Sequence, residues 1–327
     1  IKLAVEVGLI ALLTLLNIRG VKESVIVLTP VFMIFLITHA IAIVGGIFGH
    51  ASSLPETAES IGTDFRDGTN SLGLGAMALL FVHAYSLGGG TYTGIEAVSN
   101  GLPIMRDPKV ETAKRTMTYM AVSLALTASG LLLCYLLWGV HAVDGKTMNA
   151  VLLEKMTASV PFGATFVIVA LISEGLLLVV AAQAGFIDGP RVLASMAIDS
   201  WLPRRFAALS ERLTTGNGIL FMSASALIAL LYTKGSVSLL VVMYSINVFL
   251  TFSLSIFGML RSYLGSPSSK PRRASGIVLF SVGFVLCATI LVITVLEKFE
   301  DGGWLTLLIT GALVGLCFAI KKHYFHV

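Results

Sequence analysis

Apolar residues fall along this chain in blocks of about twenty, the length at which a helix crosses a bilayer core about 30 Å thick. Nine such runs occupy approximately 1–17, 24–49, 72–104, 116–139, 162–186, 217–232, 236–258, 276–296 and 303–320. Polar punctuation separates them: Arg19-Gly20 with Lys22-Glu23, the stretch 51–70, Gly265-Ser266-Pro267-Ser268-Ser269, and Asp301-Gly302-Gly303. The pattern predicts an all-α, polytopic membrane protein. In that reading 51–70 is a polar outer loop and 72–104 is a long segment interrupted by glycines.

Basic residues orient the helices. Alternate connections hold Arg19 and Lys22, then Arg106, Lys109, Lys114 and Arg115, then Arg191, Arg204, Arg205 and Arg212, then Arg261, Lys270, Arg272 and Arg273, and finally Lys321 and Lys322. These are 16 of the 22 Lys and Arg residues. Cytoplasmic loops of membrane proteins carry the excess of Lys and Arg, so this set, and the carboxyl terminus with it, is expected inside a cell (inner) membrane. The outer stretch 51–70 carries Glu56, Glu59, Asp64 and Asp67 against Arg66 alone, a negative entrance or simply a solvated acidic loop.

Composition agrees and excludes alternatives. Of 327 residues, 56% are hydrophobic and 12% charged, with a mean hydropathy of +0.91. A soluble domain needs about a quarter charged residues to cover its surface. Soluble enzymes, nucleic-acid binders and disordered chains are thereby set aside. Cys134, Cys287 and Cys317 all lie in apolar runs without disulfide or metal spacing and read as small packed residues. The chain opens Ile1-Lys2-Leu3 inside an apolar run with no charged leader and no cleavage site. It is therefore expected to be part of a longer chain, with further membrane segments upstream.

The chemistry concentrates at Tyr85-Ser86-Leu87-Gly88-Gly89-Gly90-Thr91-Tyr92-Thr93-Gly94-Ile95-Glu96-Ala97. Glycine costs about 1 kcal/mol against alanine in a helix interior. Three in a row with a fourth nearby should open the helix at mid-membrane. Gly88, Gly89, Gly90, Thr91, Thr93 and Gly94 are then candidate solute or ion ligands through freed main-chain groups and hydroxyls, as in transporters with broken helices. Close helix packing through small residues is the structural alternative. Glu96, beside the second half-helix, reads as a cation attractor or proton carrier, or as a capping acid. Glu174, in Ile172-Ser173-Glu174-Gly175, is a second candidate for proton coupling or a structural acid. An ionisable group at this depth must be paired, hydrated or protonated. His39 and His83 read as satisfied imidazoles in apolar helices. Asp188 and Arg191 read as structural partners where Gln183–Arg191 turns into an interfacial helix. Tyr244, Asn247, Thr251 and Ser255 recur in steps of three or four and share one polar helix face, with Tyr244 directed at a cavity.

Three stretches carry a family resemblance. They are Thr91 through Pro103 leading to Asp107-Pro108 and Ala113-Lys114-Arg115-Thr116, then Asp199-Ser200-Trp201-Leu202-Pro203-Arg204-Arg205-Phe206, then Tyr244 through Gly258-Met259. Together with Lys321-Lys322-His323-Tyr324 they resemble the amino acid–polyamine–organocation (APC) superfamily permeases, and within them the KUP-type potassium importers of the KimA-like branch. The resemblance extends over 1–327 and implies one transmembrane transporter domain with the LeuT-like inverted five-plus-five repeat. The nine runs would be the fourth to twelfth helices of twelve, with 72–104 the discontinuous sixth. It implies that Thr93 and Tyr244 line a potassium site with Glu96 beside it. It also implies that a second broken helix lies upstream of Ile1 and that a cytosolic domain follows the last helix.

The expected activity is secondary active transport by alternating access, as proton-coupled potassium uptake or as proton-coupled amino acid permeation on the same fold. In the second case N–H groups near Gly94 would bind a substrate carboxylate. An intramembrane enzyme would need a nucleophile–base pair or converging metal ligands, and the sequence carries neither spacing. No cofactor is expected, and no metal beyond a K+ at Thr93 and Tyr244. The expected partners are the lipid bilayer, the small solute and H+, with a homodimer left open and nucleic acid excluded.

Overall fold

The computed structural model describes residues 2–20, 25–88, 98, 101–102, 105–211, 214–265 and 270–326. Its regular elements are helices: α1 (Lys2–Ile18), α2 (Val25–Gly49), α3 (Leu54–Leu72), α4 (Leu74–Leu87), α5 (Lys109–Leu137), α6 (Met148–Thr157), α7 (Gly163–Ile198), α8 (Gly216–Thr233), α9 (Val237–Gly265), α10 (Lys270–Glu297) and α11 (Trp304–His326). Among the described residues seven of these are long and apolar enough to cross a membrane, and α4 is a shorter apolar helix. Among the described residues each of the nine apolar runs contributes a helix, because lipid leaves a backbone no partner but itself.

Two expectations are corrected. The stretch 51–70 is not a loop. After a single turn at Ala51–Ser53 it forms α3, opened by Pro55 in the first turn with Glu56 beside the positive end of the helix dipole. Leu54, Ala58, Ile61, Phe65 and Leu72 align on one face of it. Gly73, at φ 83°, then folds α3 back along α4. A Cβ on Gly68 would lie 2.9 Å from the sulfur of Met77, so the two helices meet closely there.

Likewise, Gln183–Arg191 does not turn into a separate interfacial helix. It is the continuing middle of α7, which runs 36 residues with Pro190 inside. Proline removes one main-chain hydrogen bond and crowds the preceding turn. Here α8 supports the defect: a Cβ on Gly218 would come within 3.0 Å of the Pro190 ring. The helix is about 54 Å long at 1.5 Å per residue, well beyond a 30 Å core.

Packing divides into two groups. In the first, α7 lies against α1, α2, α6 and α8, while α5 packs on α2. In the second, α9 and α10 form the closest pair, α4 packs on both, and α11 lies against α9. Small residues set the α2–α5 distance. A Cβ on Gly130 would meet Ile43 at 2.6 Å, and one on Gly46 would meet the Cys134 sulfur at 2.7 Å. Between α5 and α7, α6 is started by Thr147, whose hydroxyl accepts from the Ala150 N–H at 3.2 Å. Ala150, Val151, Leu152 and Leu153 of α6 are buried, so it is an inserted core element.

Candidate functional site

The α-helix of the glycine-rich segment stops at Leu87, and Gly88 continues it for one tighter residue. Gly88 is exposed, and among the described residues a Cβ there would meet open space. Tight packing against these neighbours therefore does not account for the glycine. Gly89, Gly90, Thr91, Thr93, Gly94 and Glu96 lie outside the described residues. Val98 is buried.

Tyr244 lies on α9, the helix against which α4 packs. It shares the exposed face of α9 with Asn247, Thr251 and Ser255, while Val242, Ser245, Ile246, Phe249 and Ser253 are buried. The predicted polar face is therefore one face of a single helix. Its Asn247 is engaged: the Thr310 hydroxyl of α11 donates to Asn247 Oδ1 at 2.8 Å.

The other carboxylate is built differently. Glu174 lies three turns into α7, where Oε1 accepts from Asn149 Nδ2 of α6 at 3.0 Å and faces His39 Nε2 of α2 at 3.1 Å. Asn149 Oδ1 accepts in turn from the Tyr135 hydroxyl of α5. Four helices thus converge on one polar chain. His39 is 5% exposed and the Glu174 side chain 18%. The gap bounded by Thr38, His39, Asn149 and Leu152 is too small for a water molecule. On its other side His39 lines an apolar groove of about 610 Å³ between α2 and α5. The arrangement can hold a proton between a buried imidazole and a half-buried carboxylate.

Sequence reasoning singled out Glu174 and His39 separately but missed their pairing, and missed Asn149 and Tyr135 altogether. The available signal was Thr147, a helix-capping residue directly before the apolar stretch 150–153. His83 also proves to have a carboxylate partner, Glu297 at the end of α10. Asp188 and Arg191 pair at 3.8 Å as the structural reading expected.

Two of the resembling stretches meet at the basic end of the bundle. The Lys321 ammonium lies 3.8 Å over the Trp201 ring, the Phe318 ring packs edge-on to it at 5.2 Å, and the Arg204 guanidinium lies 5.6 Å from the Tyr324 ring.

A model of the amino acid permease family matches residues 1–320. The chain belongs to that family, within the APC superfamily. A curated relative is the potassium transporter KimA of Bacillus subtilis (strain 168), 29% identical over 325 residues. The match covers 98% of this chain and 51% of KimA, so the chain spans about half the length of that relative. The family and the relative are transporters, not enzymes, and the seven long apolar helices among the described residues fit a multi-pass membrane protein of that family.

Proposed function

We propose that the protein takes up potassium together with protons by alternating access on an inverted-repeat scaffold, with its carboxyl terminus in the cytoplasm. The observation that carries the reading is the similarity to a potassium transporter along 98% of the chain. Chemistry supports it. A hard cation needs several oxygens in place of its hydration shell. The Thr93 and Tyr244 hydroxyls, with main-chain carbonyls of the Gly88-Gly89-Gly90-Thr91 stretch, would supply oxygens of that kind. Glu96, three positions after Thr93 in the sequence, would add negative charge and is one candidate proton carrier; Glu174 is the other.

A second reading, proton-coupled amino acid permeation, is favoured by the family's own description as amino acid permeases. Freed N–H groups at Gly94 would then receive the substrate carboxylate. Expression of the complete gene in a bacterium lacking potassium uptake separates the two. Rescue at low potassium that disappears in Thr93→Ala and Tyr244→Phe supports the cation. Absence of rescue, together with proton-driven uptake of labelled amino acid, overturns it.

A further inference from the structure

We infer that His39 and Glu174 form a one-proton site whose occupancy ties α2 to α7. The inference rests on the proton-coupled reading above and assigns the coupling to a definite pair.

Hydrogen-bond accounting carries it. His39 Nδ1 faces the Phe35 carbonyl at 2.9 Å and Thr38 Oγ1 at 3.4 Å. The Thr38 hydroxyl directs its own hydrogen to the Ile34 and Phe35 carbonyls at 2.9 and 3.0 Å, so toward the ring it presents a lone pair. Both neighbours of Nδ1 are acceptors, and Nδ1 must carry a hydrogen. Nε2 faces the Glu174 carboxylate at 3.1 Å, so exactly one further proton belongs between Nε2 and Oε1. Oε1 also accepts from Asn149 Nδ2, which favours that proton on the ring. With the proton present, α2 and α7 are bridged by an imidazolium–carboxylate pair of zero net charge. Without it, the lone pair of a buried imidazole nitrogen points at a carboxylate 3.1 Å away, and the bridge becomes repulsive.

No other charge on the packed elements, among the described residues, substitutes for the missing proton. On α5 the Tyr135 hydroxyl is committed to Asn149, and Cys134 Sγ faces the Ile43 carbonyl at 3.7 Å. On α6, Glu154 pairs with Lys146 at 2.6 Å, and Lys155 donates to the Trp138 and Gly139 carbonyls. On α7, Asp188 pairs with Arg191 about four turns away. On α2, His50 stacks on Trp138 at the helix end. On α1, Lys2 and Glu6 lie against Gly235. On α8, Tyr232 is exposed.

The interface around the pair is also suited to movement. One turn from His39 and from Glu174 stand Ala42 and Ala170, each 1% exposed, so α2 and α7 meet there through small side chains. Shear of packed helices is a recognised mode of switching, and here the polar pair is the directional link that a proton makes or breaks.

The test uses the full chain in proteoliposomes, with potassium as the probe. For Glu174→Gln and His39→Gln we expect potassium accumulation driven by an inward proton gradient to fall at least about tenfold. The pH profile of potassium flux down its own gradient should flatten in both. A purely structural role would lower flux without changing that profile. Either variant accumulating potassium with the wild-type pH profile overturns the inference. A second measurement stands whether or not these variants fold. Nitroxide labels on Ile37→Cys and Ile172→Cys, exposed positions on α2 and α7, are placed in a background lacking the native cysteines. The label separation should differ between about pH 6 and about pH 9, the range around which histidine changes charge. An identical separation at both values overturns the inference. A separation that shifts with pH in a protein that moves no potassium sustains the pair and sinks the potassium reading instead.

Discussion

Asn17 and Gln183 offer the cleanest test of how this bundle is held together. Asn17 Nδ2 donates to Gln183 Oε1 at 2.8 Å, and Gln183 Nε2 donates back to Asn17 Oδ1 at 3.2 Å. The residues are 8% and 4% exposed and clasp α1 to α7. One turn earlier, Thr14 meets the Ser223 hydroxyl of α8 at 2.7 Å. In Asn17→Leu both bonds vanish and Gln183 keeps a buried donor and acceptor without partners. Interhelical hydrogen bonds in a membrane are worth about 0.6 kcal/mol on average and up to about 1.7, so two give roughly 1–3 kcal/mol. An unpaired buried polar group costs about 1–3 kcal/mol in its own right, so the loss belongs near the upper end. Gln183→Leu alone should cost as much, whereas the double variant should recover most of it because nothing polar is then stranded. Reversible unfolding in mixed micelles measures all four corners of the cycle. A coupling energy below about 0.3 kcal/mol, the level at which independent sites simply add, would refute the clasp.

Two further expectations concern packing and capping. Gly130→Val drives a side chain into Ile43 and should destabilise by about 1–3 kcal/mol, as overpacking does, with partial recovery on adding Ile43→Ala; equal unfolding of wild type and variant would contradict the 2.6 Å approach. Thr147→Ala removes the cap of α6 and should cost about 1 kcal/mol. It should be seen as faster proteolysis of the 141–147 link, and an unchanged rate would mean that α6 holds without its cap.

What could be read from the sequence follows from the solvent. Lipid imposes length and apolarity on a crossing helix, so 24–49 and 217–232 land within about two residues of α2 and α8. Elements that answer to other forces were harder to see. α3 is amphipathic and α6 has ten residues, so neither reaches the twenty-residue test for a span. α7 runs past its expected end because Gly218 on another helix accommodates Pro190, a fact absent from the α7 segment itself. The same holds at the candidate site. Glu174 stands out as an acid in an apolar run, but His39 lies 135 positions away and Asn149 belongs to an unforeseen helix. Local pattern exposes the group that is costly to bury, and tertiary structure supplies the partners that stabilise it.

The stripe on α3 carries a prediction about where this helix meets lipid. Leu54, Ile61, Phe65 and Leu72 are 37%, 48%, 53% and 60% exposed, although they fall on one face of the helix. Glu56, Glu59 and Asp67 occupy the other face, and at Gly68 the apolar face turns toward Met77 of the apolar helix α4. A helix so divided gains most by lying in the bilayer interface with its apolar face down. Burying one such side chain is worth about 1.5–3 kcal/mol, so even Ile61 and Phe65 together outweigh an exposed position in water. Acidic residues gain nothing from anionic headgroups, so the attachment should be apolar and insensitive to salt. A tryptophan at position 65, Phe65→Trp, should be quenched by lipids brominated near the headgroup and shielded from aqueous quenchers. Phe65→Asp should free α3 to proteolysis around Arg66. If the tryptophan is instead open to water and indifferent to brominated lipid, α3 stands clear of the membrane and its apolar stripe serves another contact.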